Sequence, residues 1–198
     1  MSIIVAVVAT KGGAGKTTTA VALTVALDQA LVGPVGLIDT DPQATASAWL
    51  PWRSKSLRPT TAAEVRDAAV GEGVVIVDTQ PAATASCVAV IEAADLLIAP
   101  TRLGPGDLAA LNQLCRMIEP DLVVPVAVLG RTRSHTQALE ILHERFGDRL
   151  APAVPHSIVV ETAQEGEQPI PSRHAVGLAY AEVADTLTHL LKGVGTHG

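Results

Sequence analysis
Residues 10–19 read Thr-Lys-Gly-Gly-Ala-Gly-Lys-Thr-Thr-Thr, set between a continuous apolar run, Ile3 to Ala9, and an apolar helical pattern, Ala20 to Leu31. Strand, glycine loop and helix in that order is the setting a phosphate-binding loop requires. Gly12, Gly13 and Gly15 let the backbone curl so that the N–H groups from Gly12 through Ala14 to Thr18 point inward. The helix that follows adds the positive end of its dipole, roughly half a charge. In such a loop Lys16 faces the β- and γ-phosphates, and the Thr17 hydroxyl is placed for Mg²⁺.

What surrounds this loop is aliphatic. Hydrophobic residues make up 48% of the 198 and aromatic residues only 2%, so the core must be built from Val, Leu, Ile and Ala. Such a core favours parallel strands buried on both faces between helices, and the length suits one domain. The two cysteines, Cys87 and Cys115, have no metal-ligand spacing and predict neither a disulfide framework nor a zinc site. The first apolar run lacks a basic leader and soon meets lysine and glycine, so it reads as a strand and not a signal peptide. No apolar run is long enough to cross a bilayer, and a cytoplasmic location is expected. A formal net charge of -6 argues against nucleic-acid binding through bulk charge. Residues 131–198 are no exception, with six Lys and Arg against eight Asp and Glu, although all six histidines lie there.

Taken in order, the pattern predicts strand 3–9, helix 17–31, strand 35–38 and, at that strand's C-terminal end, Asp39-Thr40-Asp41-Pro42-Gln43. Ligands of open α/β sheets bind at that edge, so these carboxylates should face the glycine loop. A helix over 44–52 broken by Pro51, a polar connector over 53–60 and a short helix over 61–70, capped by Thr60 or Thr61, come next. Trp49 and Trp52 read as packing or dimer-surface residues. The run Val74-Val75-Ile76-Val77-Asp78 ends in a carboxylate able to hold Mg²⁺ through water. Beyond it the pattern predicts helix 83–93, strand 96–99, helix 108–118 with Asp107 at its positive end, and strand 123–129. A helix from a Ser134 cap to Phe146, a short strand over 150–154 and a closing helix within 173–191 complete the chain, with a frayed tail from 193. The alternation gives one doubly wound α/β domain, a P-loop NTPase fold with a mostly parallel sheet of about seven strands flanked by helices.

Three of these segments carry a family resemblance. Gly12 stands too close to Gly15 to open G-x-x-x-x-G-K-[ST]; Thr10 takes that place and a second lysine, Lys11, follows it. K-G-G-x-G-K-T-T resembles the deviant Walker A box of the ParA/MinD superfamily of ATPases. D-x-D-P-Q at 39–43 resembles that family's switch I. Asp78 with Thr79-Gln80-Pro81-Ala82 resembles its Walker B and switch II, with Gln80 replacing the first proline of the usual D-x-P-P. The resemblance implies a Mg²⁺-dependent ATPase that forms an ATP-dependent homodimer, with Lys11 reaching the partner's phosphates. It further implies that Asp39 supports the Mg²⁺ water shell, that Asp41 orients the attacking water, and that Arg131 and Pro155 lie on the adenine side.

The length matches short ParA-type proteins, and only Met1 and Ser2 precede the first strand, so no fused operator-reading domain is expected. For such proteins the family implies non-specific DNA binding by the dimer, release on hydrolysis stimulated by a centromere-binding or other partner, and segregation of a plasmid or another DNA segment. The same switch positioning a protein cargo is the alternative. Arg131, Arg133, Arg145, Arg149, Arg173 and Lys192 are the candidates for DNA phosphates. A membrane-cycling MinD-like role fits less well, since Ala184 to Leu191 carries Asp185 and only Lys192 lies beyond. Cluster-carrying relatives need paired cysteines, which Cys87 and Cys115 do not supply.

Overall fold
In the computed structural model the described residues are 2–30, 34–80 and 84–194. Among them, six strands form one sheet: β1 (Ile3–Val7), β2 (Val35–Asp39), β3 (Ser54–Ser56), β4 (Val74–Asp78), β5 (Leu96–Thr101) and β6 (Leu122–Pro125). Their order is β3-β2-β4-β1-β5-β6, and every pairing is parallel. The helices are α1 (Lys16–Ala30), α2 (Thr45–Trp49), α3 (Ala62–Ala69), α4 (Ala85–Ala93), α5 (Pro105–Leu114), α6 (Arg133–Phe146), α7 (Val159–Glu165) and α8 (Ala175–Val194).

Alternation along β1 shows how the sheet builds two cores. Val5 and Val7 point into one apolar cluster with Leu23 and Leu27 of α1 and Val183 and Leu187 of α8. Ile4, Ala6 and Val8 point into the other, with Val65 of α3, Val90 of α4, Leu111 of α5 and Phe146 of α6. Successive strand side chains face opposite ways, so a continuous apolar run is what a strand covered on both faces demands. Cys87 and Cys115 are both free, the first buried and the second half-buried.

Several expectations are corrected in detail. The sheet has six strands among the described residues and not about seven, because 150–154 does not form one. That stretch meets β6 and its sequel through isolated bridges at Leu150 and Pro155. Pro152 and Pro155 carry no N–H, so a regular ladder cannot run through them. β6 stops at Pro125, short of the expected 129, since Ala127 adopts a left-handed conformation with φ 53°. The polar connector contains β3, and helix α7 lies in a stretch for which no helix was expected. α5 starts at Pro105, a residue suited to a first helical turn. Thr132, not Ser134, occupies the N-cap of α6, and its side chain makes no capping bond.

Other expectations hold. Thr61 caps α3: its hydroxyl accepts from the Glu64 N–H, while Glu64 reaches back to the Thr60 N–H at 2.8 Å. Trp49 is buried and its indole N–H donates to the Gln168 carbonyl at 2.8 Å, whereas Trp52 is exposed. Among the described residues no helix is long and apolar enough to cross a membrane. The end of the expected first helix (31), Pro81 and Ala82 of the segment that resembles switch II, the start of the expected helix at 83, and most of the tail lie outside the described residues.

Candidate functional site
The parallel register assembles the site. β1 ends at Val7, which pairs with Asp78, and Asp78 in turn pairs with Asp39 across β4 and β2. Two aspartates spaced 39 residues apart in sequence therefore sit side by side on the edge from which the glycine loop leaves β1. Both are almost wholly buried.

In the loop, Gly13 and Gly15 have φ of +74° and +95°, values that L side chains rarely adopt. A methyl group on Gly15 would also meet Val126 Cγ2 at 2.9 Å. The Thr19 N–H donates to the Gly15 carbonyl and closes the first turn of α1, leaving the earlier N–H groups without helical partners. Lys16 is buried at the start of that helix, and burial lowers its pKa against the pull of Asp78 and Asp41. No carboxylate lies within ion-pair distance of it among the described residues, as suits a cation kept for an anionic ligand.

Thr17 donates its hydroxyl to Asp78 Oδ2 at 2.8 Å, and Asp78 Oδ1 is buried without a partner. An orphaned buried carboxylate oxygen is costly unless a ligand satisfies it. Burial pushes the Asp78 carboxyl up to about 7, with Asp39 adding to the rise and the Thr17 bond opposing it. Asp39 is placed by the backbone: Oδ1 accepts from Asp41 N–H at 3.0 Å and Oδ2 from Ser47 N–H at 2.8 Å. Asp41 Oδ1 accepts from Gln43 N–H at 2.9 Å. Thr17, Asp39 and Asp78 thus bring one hydroxyl and two carboxylates together. Hard oxygen donors of this kind, with Asp78 Oδ1 left unpartnered, fit Mg²⁺ with ATP.

Lys11 stands apart from this floor. It is half exposed, and its Nζ lies 2.6 Å from Asp107 Oδ1 in the first turn of α5. Asp107 was expected only as a helix-end charge; its pairing with Lys11 joins residues 96 apart and has no sequence signal.

On the other side of the loop a cleft of about 180 Å³ opens beside Gly15 and Thr18. Pro155 lines it; Arg131 does not, being exposed in the turn after β6. Arg102, His156, Glu161 and Gln164 line it as well, and sequence reasoning missed all four. Arg102 follows the C-terminal end of β5, so the rule that ligands bind at that edge could have flagged it. Of the candidates for DNA phosphates, Arg145 bonds the Asn112 side chain and Arg149 pairs with Glu119 at 2.5 Å, which ties both to the α5–α6 side of the molecule. Arg131, Arg133, Arg173 and Lys192 are exposed.

A glycine loop between the central strand and its helix, with carboxylates ending two neighbouring strands, defines a P-loop nucleotide-binding domain. The CobQ/CobB/MinD/ParA nucleotide binding domain family matches residues 5–170, and the chain belongs to that family. It is 43% identical over 117 residues to the maintenance of carboxysome distribution protein A of Gloeobacter kilaueensis, covering 54% of this chain and 53% of that protein. The match thus spans about half of that relative's length. A protein of the same name from Halothiobacillus neapolitanus is 32% identical over 158 residues, covering 69% of this chain and 71% of its own. Among solved structures, a Borrelia burgdorferi plasmid partition protein bound to AMPPNP superposes with a TM-score of 0.81 at 14% identity, over 96% of this chain and 100% of that one. At that identity the likeness is one of fold.

Proposed function
We propose that the protein is a Mg²⁺-dependent ATPase whose ATP-bound form is a homodimer and which positions a large cargo in the cell. The observation that carries the reading is the separation of its two lysines. Lys16 is buried at the base of the loop, while Lys11 is presented at the rim, where it pairs with an acid of its own chain and remains half exposed. A rim lysine is placed to meet phosphates held by a second copy. Two nucleotide tails brought face to face repel, and Lys11 and Lys16 from both chains offset that charge. Bound Mg²⁺ supplies further charge neutralisation at the β- and γ-phosphates. Thr17, Asp39 and Asp78 hold its shell, and Asp41 orients the attacking water. Loss of the γ-phosphate removes what Lys11 grips, so the dimer loosens. Pro155, with Arg102, encloses the adenine side.

For the cargo, both curated relatives are named for carboxysome distribution, which favours a protein assembly over a plasmid. DNA segregation is the second reading, and it rests on the resemblance of the 11–18 and 39–43 motifs to those of ParA-type ATPases. Both readings call for a partner that stimulates hydrolysis and for a surface on which the dimer rests, and non-specific DNA is the proposed surface. The test is sedimentation of the wild type and Lys11→Ala with ATP, ADP or no nucleotide, with and without duplex DNA at low and moderate salt. Lys11→Ala is expected to keep nucleotide but lose the ATP-dependent dimer and turnover, and a normally active variant overturns the cross-dimer role. Salt-sensitive DNA retention of the wild type only with ATP supports the DNA surface; a dimer that ignores DNA overturns it.

A further inference from the structure
Arg58 lies just beyond the edge strand β3, in a stretch that reads as a polar connector, yet its guanidinium turns back to the site. One nitrogen donates to the Asp39 carbonyl at 3.2 Å and to the Leu57 carbonyl at 2.8 Å, and the other donates to the Asp41 carbonyl at 2.7 Å. The fork therefore brackets the three residues 39–41 from both ends. Among the described residues Arg58 has no ion pair; its hydrogen bonds all go to backbone carbonyls. A surface arginine kept for solubility or for a salt bridge would not be committed in this way.

The segment it holds needs holding. Ala44, at the head of α2, has φ 52°, a left-handed conformation disfavoured for a residue with a Cβ. Such strain persists where surrounding contacts over-determine the backbone. Here those contacts are the Ala44 N–H on the Asp41 carbonyl, the Gln43 N–H on Asp41 Oδ1, and Arg58 on the same Asp41 carbonyl. β3 supplies the anchor from which Arg58 reaches, with Ser56 in register with Asp39 and its hydroxyl 2.9 Å from that of Ser47.

We propose that Arg58 is a positioning residue for ATP hydrolysis, fixing the backbone from Asp39 to Asp41 so that the Asp41 carboxylate is presented in one orientation. This rests on the reading of Asp41 as the residue that orients water. A planar fork can bridge two carbonyls, whereas an ammonium is a point charge and cannot hold both in the same geometry. Misplacing a catalytic group by about 1 Å costs up to roughly a hundredfold in rate, so kcat of Arg58→Ala should fall about tenfold to a hundredfold. KM for ATP should change little, because Lys16 and the loop N–H groups are untouched.

The experiment is steady-state ATP turnover by the full chain for Arg58→Ala, Arg58→Lys, Asp41→Ala and the Arg58→Ala/Asp41→Ala double variant, with ADP affinity measured on each. The expected result is a loss in kcat with unchanged ADP affinity, no rescue by lysine, and a double variant no slower than Asp41→Ala alone, since the two act as a unit. Full turnover by Asp41→Ala would remove the reading of Asp41 and this inference with it. If Asp41→Ala is slow but Arg58→Ala is unimpaired, or the two losses multiply, Asp41 keeps its role and Arg58 does not act through it. Rescue by Arg58→Lys, or a loss confined to ADP affinity, likewise overturns the bracketing.

Discussion
Tyr180 on α8 and Thr19 on α1 share a hydrogen bond, 3.0 Å between hydroxyl oxygens, at residues 2% and 0% exposed. Tyr180→Phe removes one oxygen and almost no volume, so no cavity adds to the effect. What remains is the Thr19 hydroxyl, buried and deprived of its partner, a loss of about 1–3 kcal/mol. Part of that can be recovered if Thr19 turns to the Gly15 carbonyl one helical turn back, as Thr24 already does towards Ala20 at 2.8 Å. The expected destabilisation is therefore at the lower end, about 1–2 kcal/mol, or roughly 2–8 °C in Tm for a chain of this size. Urea unfolding followed by tryptophan fluorescence measures it. The companion variant Thr19→Val strands the phenol instead, and Thr19→Val/Tyr180→Phe removes both polar atoms together. The double variant should be less destabilised than the sum of the singles. A Tyr180→Phe protein as stable as the wild type, or strictly additive losses, would refute the idea that this bond ties α1 to α8.

Two further outcomes follow from the same region. Burial pushes the Tyr180 phenol up to about 12, against the Thr19 bond, which lowers it. With the folded value above the ordinary 10, the protonated phenol's contribution is intact below pH 10 and is lost as pH rises towards 12. Tyr180 is the sole tyrosine, so ultraviolet absorbance of the phenolate reports it without ambiguity; titration near 10 in a still-folded protein would contradict this. Gly177→Ala sets two effects against each other. Alanine in a helix gains about 1 kcal/mol over glycine, but a Cβ here would sit 2.3 Å from the Pro171 carbonyl oxygen and 2.9 Å from Ser172 Cα. Overpacking against backbone costs about 1–3 kcal/mol and more at such distances, so the variant should lose stability in urea, and a gain would show that the 170–172 segment yields freely.

The parts of the site that sequence reveals are those written in contiguous residues. The glycine loop, Asp39, Asp41 and Asp78 each follow an apolar strand, and the strand's own hydrophobicity announces where the edge falls. Arg58 and the Lys11–Asp107 pair are brought in by pairings across the fold, and nothing in the neighbouring residues distinguishes Arg58 from Arg53 or Arg66. β3 was invisible for a related reason: its Ser-Lys-Ser sequence borders the sheet, where a partly exposed edge strand needs no apolar signal. α7 is short and carries Glu, Thr and Gln among its apolar residues, so no clear period betrays it. Arg131 is placed on the adenine side only by the family resemblance, at the position that follows the expected strand 123–129. The early end of β6 at Pro125 leaves it outside the cleft that Pro155 lines.

The in-step ending of β1, β2 and β4 sets where this chain tolerates changes in length. A residue inserted or deleted inside β2 or β4 would move Asp39 or Asp78 off the shared edge and at once swap the side chains feeding the two cores. At the opposite edge the strands are stitched from below instead: Asp95 accepts the Ile4 N–H at 2.8 Å and Asp121 accepts the Leu97 N–H at 2.7 Å. Residues 70–71, in the turn before β4, are exposed and bond none of the strands among the described residues, so the chain can lengthen there without shifting the edge that carries Asp39 and Asp78, whereas Gly73 is tied to Ile3 and Pro34. Insertions there should accumulate among descendants of this chain, while the strands that end in aspartate keep their length.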